Sequence, residues 1–121
     1  MAANTIENIR KGDVILVDFK KNEGSEQNGL RPAVVVQNDT GNVFSNTTIV
    51  CPLTTKEKTM TITHVILLPR DCGILHPSVV LCEQIRAIDK SRIRRKIGYI
   101  TSPYKLAAIE KKIMLSFGIA T

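Results

Sequence analysis

The sequence predicts a mainly β domain, a small barrel of short strands with one helix at the C-terminal end. Three observations carry that expectation. Short β-branched runs such as Ala33-Val34-Val35-Val36 recur as far as Ile100, separated by clusters of Gly, Pro, Asn and Asp. After Ser102-Pro103 the pattern changes, and Leu106, Ile109, Ile113 and Phe117 follow at three- and four-residue spacing. The 121 residues, 43% of them hydrophobic, suffice for one core, so residues 1–121 are expected to form a single domain.

Taken in order, Lys11-Gly12-Asp13 leads into a first strand over residues 14–19, and a second runs from Arg31 to about Asn38. Asn38-Asp39-Thr40-Gly41-Asn42 is dense in turn formers and reads as a turn. Residues 47–55 read as a third strand in which Pro52, lacking an N–H, suggests a bulge or an edge position. A charged loop follows through Lys56, and residues 64–68 form a short strand closed by Pro69. Residues 78–88 read as the longest strand, with Gln84 and Arg86 on its more exposed face and Glu83 the polar exception on the other. Residues 92–100 make a weaker, basic strand. Ser102 is a hydroxyl N-cap followed by proline at the first helical position, and Gly118 is the stop signal.

The formal charge of +6 favours a polyanionic partner, and nucleic acid and an acidic protein segment fit it equally well. The polar, charged start MAANTIENIRKGD is unlike a signal peptide, and no run approaches the roughly 20 apolar residues that span a bilayer. The expected location is the cytoplasm. Cys51, Cys72 and Cys82 match no metal-ligand spacing. Cys51 and Cys82 fall in apolar strands as small buried hydrophobes, and a reducing cytosol argues against a disulfide. Neither a metal nor another cofactor is expected.

Chemistry points to GSEQNGLRPAVVVQND, residues 24–39. A polar loop bracketed by Gly24 and Gly29 is followed by a stiff strand, and Arg31 stands at the seam with an extended backbone imposed by Pro32. A guanidinium there offers a planar fork suited to phosphate. Taken alone, these residues fit a surface arginine with a carboxylate partner at least as well.

Together with KGDVILVDF, TTIVCPLTT and VVLCEQIRAIDKSRI, in that order, this block resembles the MazF/PemK toxins, the ribonuclease halves of bacterial toxin–antitoxin pairs, and within them a Gram-positive branch. The resemblance covers nearly the whole chain. It implies a small SH3-like barrel of the CcdB/PemK type with a C-terminal helix, assembled as a homodimer. It also implies metal-independent cleavage of single-stranded RNA, in which the ribose 2′-hydroxyl attacks phosphorus to leave a cyclic phosphate and a 5′-hydroxyl.

The catalytic residues so implied are Arg31, Thr54 and Glu26. Arg31 would stabilise charge on the phosphate, Thr54 would donate its hydroxyl to the same group, and Glu26 would act from the loop. Arginine is a poor base at neutral pH, and Leu30 stands where some relatives carry histidine. The expected RNA-binding residues are Ser25, Gln27, Lys56, His64, Gln84 and Arg86. The basic run Lys90, Arg92, Arg94, Arg95, Lys96 reads either as an RNA-backbone track or as a strand edge protected by charge. Aromatic content of 4% leaves base-edge hydrogen bonds to select sequence. The implied inhibitor is an acidic antitoxin with a disordered tail. Two rivals are a gyrase-binding toxin of the CcdB type, which lacks the GSEQ block and carries a C-terminal tryptophan absent here, and a basic barrel that binds nucleic acid without cutting it.

Overall fold

Both faces of the run Ala33-Val34-Val35 are buried, which is why it shows no polar alternation. In the computed structural model, which describes residues 8–19, 29–55 and 60–119, it belongs to a seven-stranded antiparallel sheet. The elements are β1 (Asp13–Asp18), β2 (Leu30–Val35), α1 (Asp39–Phe44), β3 (Thr47–Thr54), β4 (His64–Leu67), α2 (Pro69–Cys72), β5 (Ser78–Leu81), β6 (Arg86–Asp89), β7 (Ile93–Tyr99) and α3 (Pro103–Ser116). The strand order is β4-β5-β3-β2-β1-β7, with β6 also paired to β3. The sheet is barrel-like, and the described pairings do not close it.

Each sheet face covers its own core. Val14, Val34, Leu53, Val65 and Val80 point to one side, where Ile109 and Ile113 of α3 pack over them. Ile15, Val17, Ala33, Val35, Val50 and Ile93 point to the other, together with Ile88 and Phe19. The helix forms as its sequence signals: Ser102 Oγ accepts from Lys105 N at 3.3 Å, Pro103 occupies the first turn, and Gly118 ends it with a φ of +81°. Phe117 lies past the packed stripe and is exposed.

Three expectations need correction. The turn-forming stretch after Gln37 is the short helix α1, because Asn38 uses its side chain to cap it, with Gly41 N donating to Asn38 Oδ1 at 2.8 Å. Pro52 is on a central strand. β3 pairs with β2 along one side, while on the other it pairs with β6 up to Val50 and with β5 from Leu53. Pro52 lies between those two partners, where no ladder donor is needed. The third correction concerns residues 78–88, which are not one strand. Three residues along β3, Leu53 to Val50, correspond to six along the partner, Val80 to Arg86, and the 3₁₀ turn Cys82–Gln84 takes up the excess. Cys82 is therefore buried in a turn, not in a strand.

Candidate active site

Arg31 enters the fold through two ladders. Val17 of β1 lies opposite it, and Ala33, two residues on, lies opposite Pro52 of β3. Continuing that antiparallel register by two residues sets Arg31 opposite Thr54, so both side chains leave the same face of the sheet. The half-buried Arg31 guanidinium turns toward β3 and donates from Nη2 to the Leu53 carbonyl at 3.3 Å, one residue from Thr54. Thr54 is buried and ends β3, where it pairs with Val79 of β5. A planar cation and a hydroxyl donor, from adjacent strand ends, thus meet at one corner. Both can serve the oxygens of one phosphate.

A second polar cluster lies on the same face, across β5. His64 opens β4 opposite Leu81, and its ring is buried. Its Nε2 lies 3.4 Å from Glu83 Oε2, while Thr63 donates its hydroxyl to Glu83 Oε1 at 2.9 Å. Burial, the largest single influence on Glu83, pushes its carboxyl up. Hydrogen bonds from its own backbone amide, from Thr63 and from His64 outweigh that and hold it below the ordinary glutamate range. With Glu83 accepting, the proton belongs on His64 Nε2. Nδ1 is buried without a hydrogen-bond partner among the described residues.

Residues 10–117 match the family model of the PemK-like, MazF-like toxins of type II toxin–antitoxin systems. The chain belongs to this family. The Endoribonuclease MazF of Staphylococcus saprophyticus is 41% identical over 114 residues, covering 93% of this chain and 94% of that protein. MazF of Deinococcus radiodurans superposes with a TM-score of 0.76 at 27% identity, over 92% of this chain and 97% of its own. A MazE–MazF complex from the same organism gives 0.74 at 26% identity, over 93% and 97%.

Within this family frame, the other expected site residues divide. Glu26, Ser25, Gln27 and Lys56 lie outside the described residues. Gln84 and Arg86 are exposed, and the Arg86 guanidinium sits 5.1 Å from the centroid of the Phe19 ring. His76 is exposed, apart from the His64 cluster, and its carbonyl accepts from Ser78 Oγ at 3.0 Å.

The basic run lies largely on the edge strand β7 and the turn before it, and most of its members are committed within the protein. Lys90 donates to the Asn42 carbonyl, Arg92 to Asp18 O at 3.3 Å, Arg94 to Asp18 Oδ2 at 2.9 Å, and Lys96 pairs with Asp13 Oδ2 at 3.1 Å. The charged-edge reading accounts for these contacts. Sequence reasoning missed Asp18, which carries no signal beyond its place at a strand end. It noticed Glu83 only as a polar exception in an apolar alternation. Cys51, Cys72 and Cys82 are buried free thiols. A hydrogen bond with Cys82, and then burial, push Cys51 up, and burial raises Cys72, so neither is a ready nucleophile.

Proposed function

We propose that this chain is the toxin of a toxin–antitoxin pair, a sequence-specific endoribonuclease that cuts single-stranded RNA without a metal ion. The carrying observation is the corner where the Arg31 guanidinium reaches Leu53 O beside Thr54. In the reaction, the 2′-hydroxyl oxygen bonds to phosphorus as the bond from phosphorus to the 5′-oxygen breaks. One proton leaves the 2′-hydroxyl and one reaches the 5′-oxygen, giving a 2′,3′-cyclic phosphate and a 5′-hydroxyl. Arg31 stabilises the negative charge that gathers on the non-bridging oxygens, and Thr54 donates to the same phosphate. As a permanent cation, Arg31 is suited to that role far better than to taking up a proton. Glu26 acts from the segment that joins β1 to β2 in the sequence.

Gln84 and Arg86, both exposed, contact RNA, with Ser25, Gln27 and Lys56 completing the binding residues. The buried His64 takes part from behind, by holding Glu83 and with it the turn that carries Gln84. The working form is a cytoplasmic homodimer. An acidic antitoxin with a disordered tail restrains it by placing carboxylates where RNA phosphates lie, which suits a chain of charge +6. The antitoxin complex formed by the Deinococcus relative supports such a partner.

The test is incubation of the purified protein with single-stranded RNA in excess EDTA. Cleavage leaving 5′-hydroxyl ends is expected. Activity abolished by the chelator and restored by a divalent cation would overturn the metal-free mechanism.

A further inference from the structure

β2 is held unevenly. Among the described residues its ladder with β3 begins at Ala33, while the backbones of Leu30, Arg31 and Pro32 pair with the last residues of β1, Asp18, Val17 and Leu16. One backbone bond past the ladder, Phe19 N donates to Gly29 O at 3.2 Å. Strand ends paired on one side open most easily. The point from which the Arg31 side chain leaves the sheet therefore depends on how firmly the end of β1 is held, while its guanidinium donates to Leu53 O of β3.

Three arginines, all more than sixty positions later in the sequence, grip that end. Arg92, from the turn before β7, donates through Nη1 to the Asp18 carbonyl at 3.3 Å. Arg94 donates through Nη2 to the Asp18 carboxylate at 2.9 Å, and its own Nη1 is tied to Ser91 O at 2.9 Å. Arg86 lies over the ring of Phe19, the next residue. Val17, the residue opposite Arg31, is also paired with Ile93, between Arg92 and Arg94. One half-exposed ion pair stabilises a fold by only about 0–1 kcal/mol. Three contacts on two consecutive residues matter through geometry, because a displacement of about 1 Å at a reacting group can cost roughly a hundredfold in rate.

We infer that Asp18, Arg92 and Arg94 form a clamp on the end of β1 that positions Arg31, so that these residues of the basic strand edge serve cleavage through the sheet and not by touching RNA. The inference rests on the role proposed for Arg31. Asp18 and Arg94 are positioning residues, and each acts through the other.

The experiment compares Arg94→Ala, Asp18→Asn, their double variant, Arg94→Lys and Arg31→Ala in the full chain. It measures melting temperature, kcat and KM on single-stranded RNA, and the salt dependence of binding to an RNA carrying a 2′-O-methyl group at the scissile position. Each clamp variant is expected to lower kcat by ~10–100-fold with KM and the salt slope nearly unchanged. The double variant should be no worse than the poorer single one, because both remove one interaction. Arg94→Lys, which still reaches the carboxylate, should recover part of kcat even if Arg94→Ala folds poorly. Unchanged kcat with a raised KM and a salt slope shallower by ~0.7 would make Arg94 a phosphate contact and overturn the clamp. Additive losses would overturn it as well. If Arg31→Ala cuts normally, the role of Arg31 fails. If only Arg31→Ala is inactive, that role stands and the clamp alone falls.

Discussion

The Arg31–Thr54 corner and the His64–Glu83 corner lie on one face of the sheet but are built in opposite ways. At the first, the side chains come from strand ends, register turns them to one face, and the Arg31 guanidinium donates to the Leu53 carbonyl. At the second, polar groups are turned on one another: Glu83 accepts from Thr63 and His64, and the buried His64 Nδ1 has no partner among the described residues. The first corner holds hydrogen-bond donors where a substrate oxygen can use them, while the second uses its hydrogen bonds to keep a turn in place. Chemistry and stability should therefore separate when the two are mutated, with kcat belonging to one and binding and folding to the other.

The largest effect is expected from Arg31→Ala, a loss of at least ~10²–10³ in kcat, the scale of removing a donor that stabilises transition-state charge. Its melting temperature should stay close to that of the parent. Arg31→Lys should fail nearly as badly, since lysine keeps the charge but loses the fork. A lysine variant with near-normal turnover in the same RNA assay would show that a point charge is enough.

Next comes Thr54→Val, which keeps the shape and removes the hydroxyl. A fall of roughly tenfold in kcat, one lost hydrogen bond of about 1.5 kcal/mol, is expected with KM little changed. Unaltered single-turnover kinetics would reduce Thr54 to a strand residue. At the other corner, His64→Ala should lower stability by ~1–3 kcal/mol in urea titrations, through a cavity and a weakened Glu83, and raise KM more than it lowers kcat. A large fall in kcat at unchanged stability would instead place His64 beside the reacting phosphate and erase the contrast.

The smallest effect is the pH response of Glu83→Gln. The fold depresses the Glu83 carboxyl, so the stabilisation belongs to the carboxylate. It is complete above the ordinary glutamate range and is lost as pH falls through the lowered folded-state value. The parent should exceed the variant in stability at neutral pH, by a modest amount because Glu83 is partly exposed to solvent, and the gap should narrow below about pH 4. A gap that stays constant in denaturation curves across that range would remove the hydrogen-bonded carboxylate from the account.

Local pattern was enough for much of this molecule. The runs before Phe19 and after Leu30 could be recognised as strands, and Ser102-Pro103 as a helix start, because period, capping and branching act within a few residues. Arg31 and Thr54 could be singled out because the blocks around them resemble a family whose fold and activity are known. What single-sequence pattern could not supply was partnership. The alternation through residues 78–88 continues past the 3₁₀ turn, so nothing in it marked the three-residue slip that divides β5 from β6 and gives β3 two partners on one side. The arginines of the basic run read as one stripe of charge. Only packing committed Arg92 and Arg94 to Asp18, more than seventy positions earlier. A Cβ at Gly98 would collide with the Cys72 carbonyl, so β7 can lie against α2 only with a glycine at that position. Periodicity determines which side chains can be buried, since that depends on backbone geometry repeated every two or 3.6 residues. Which distant strand, carbonyl or carboxylate meets them is decided by closing the whole sheet over its two cores, and that choice leaves no mark in the local pattern.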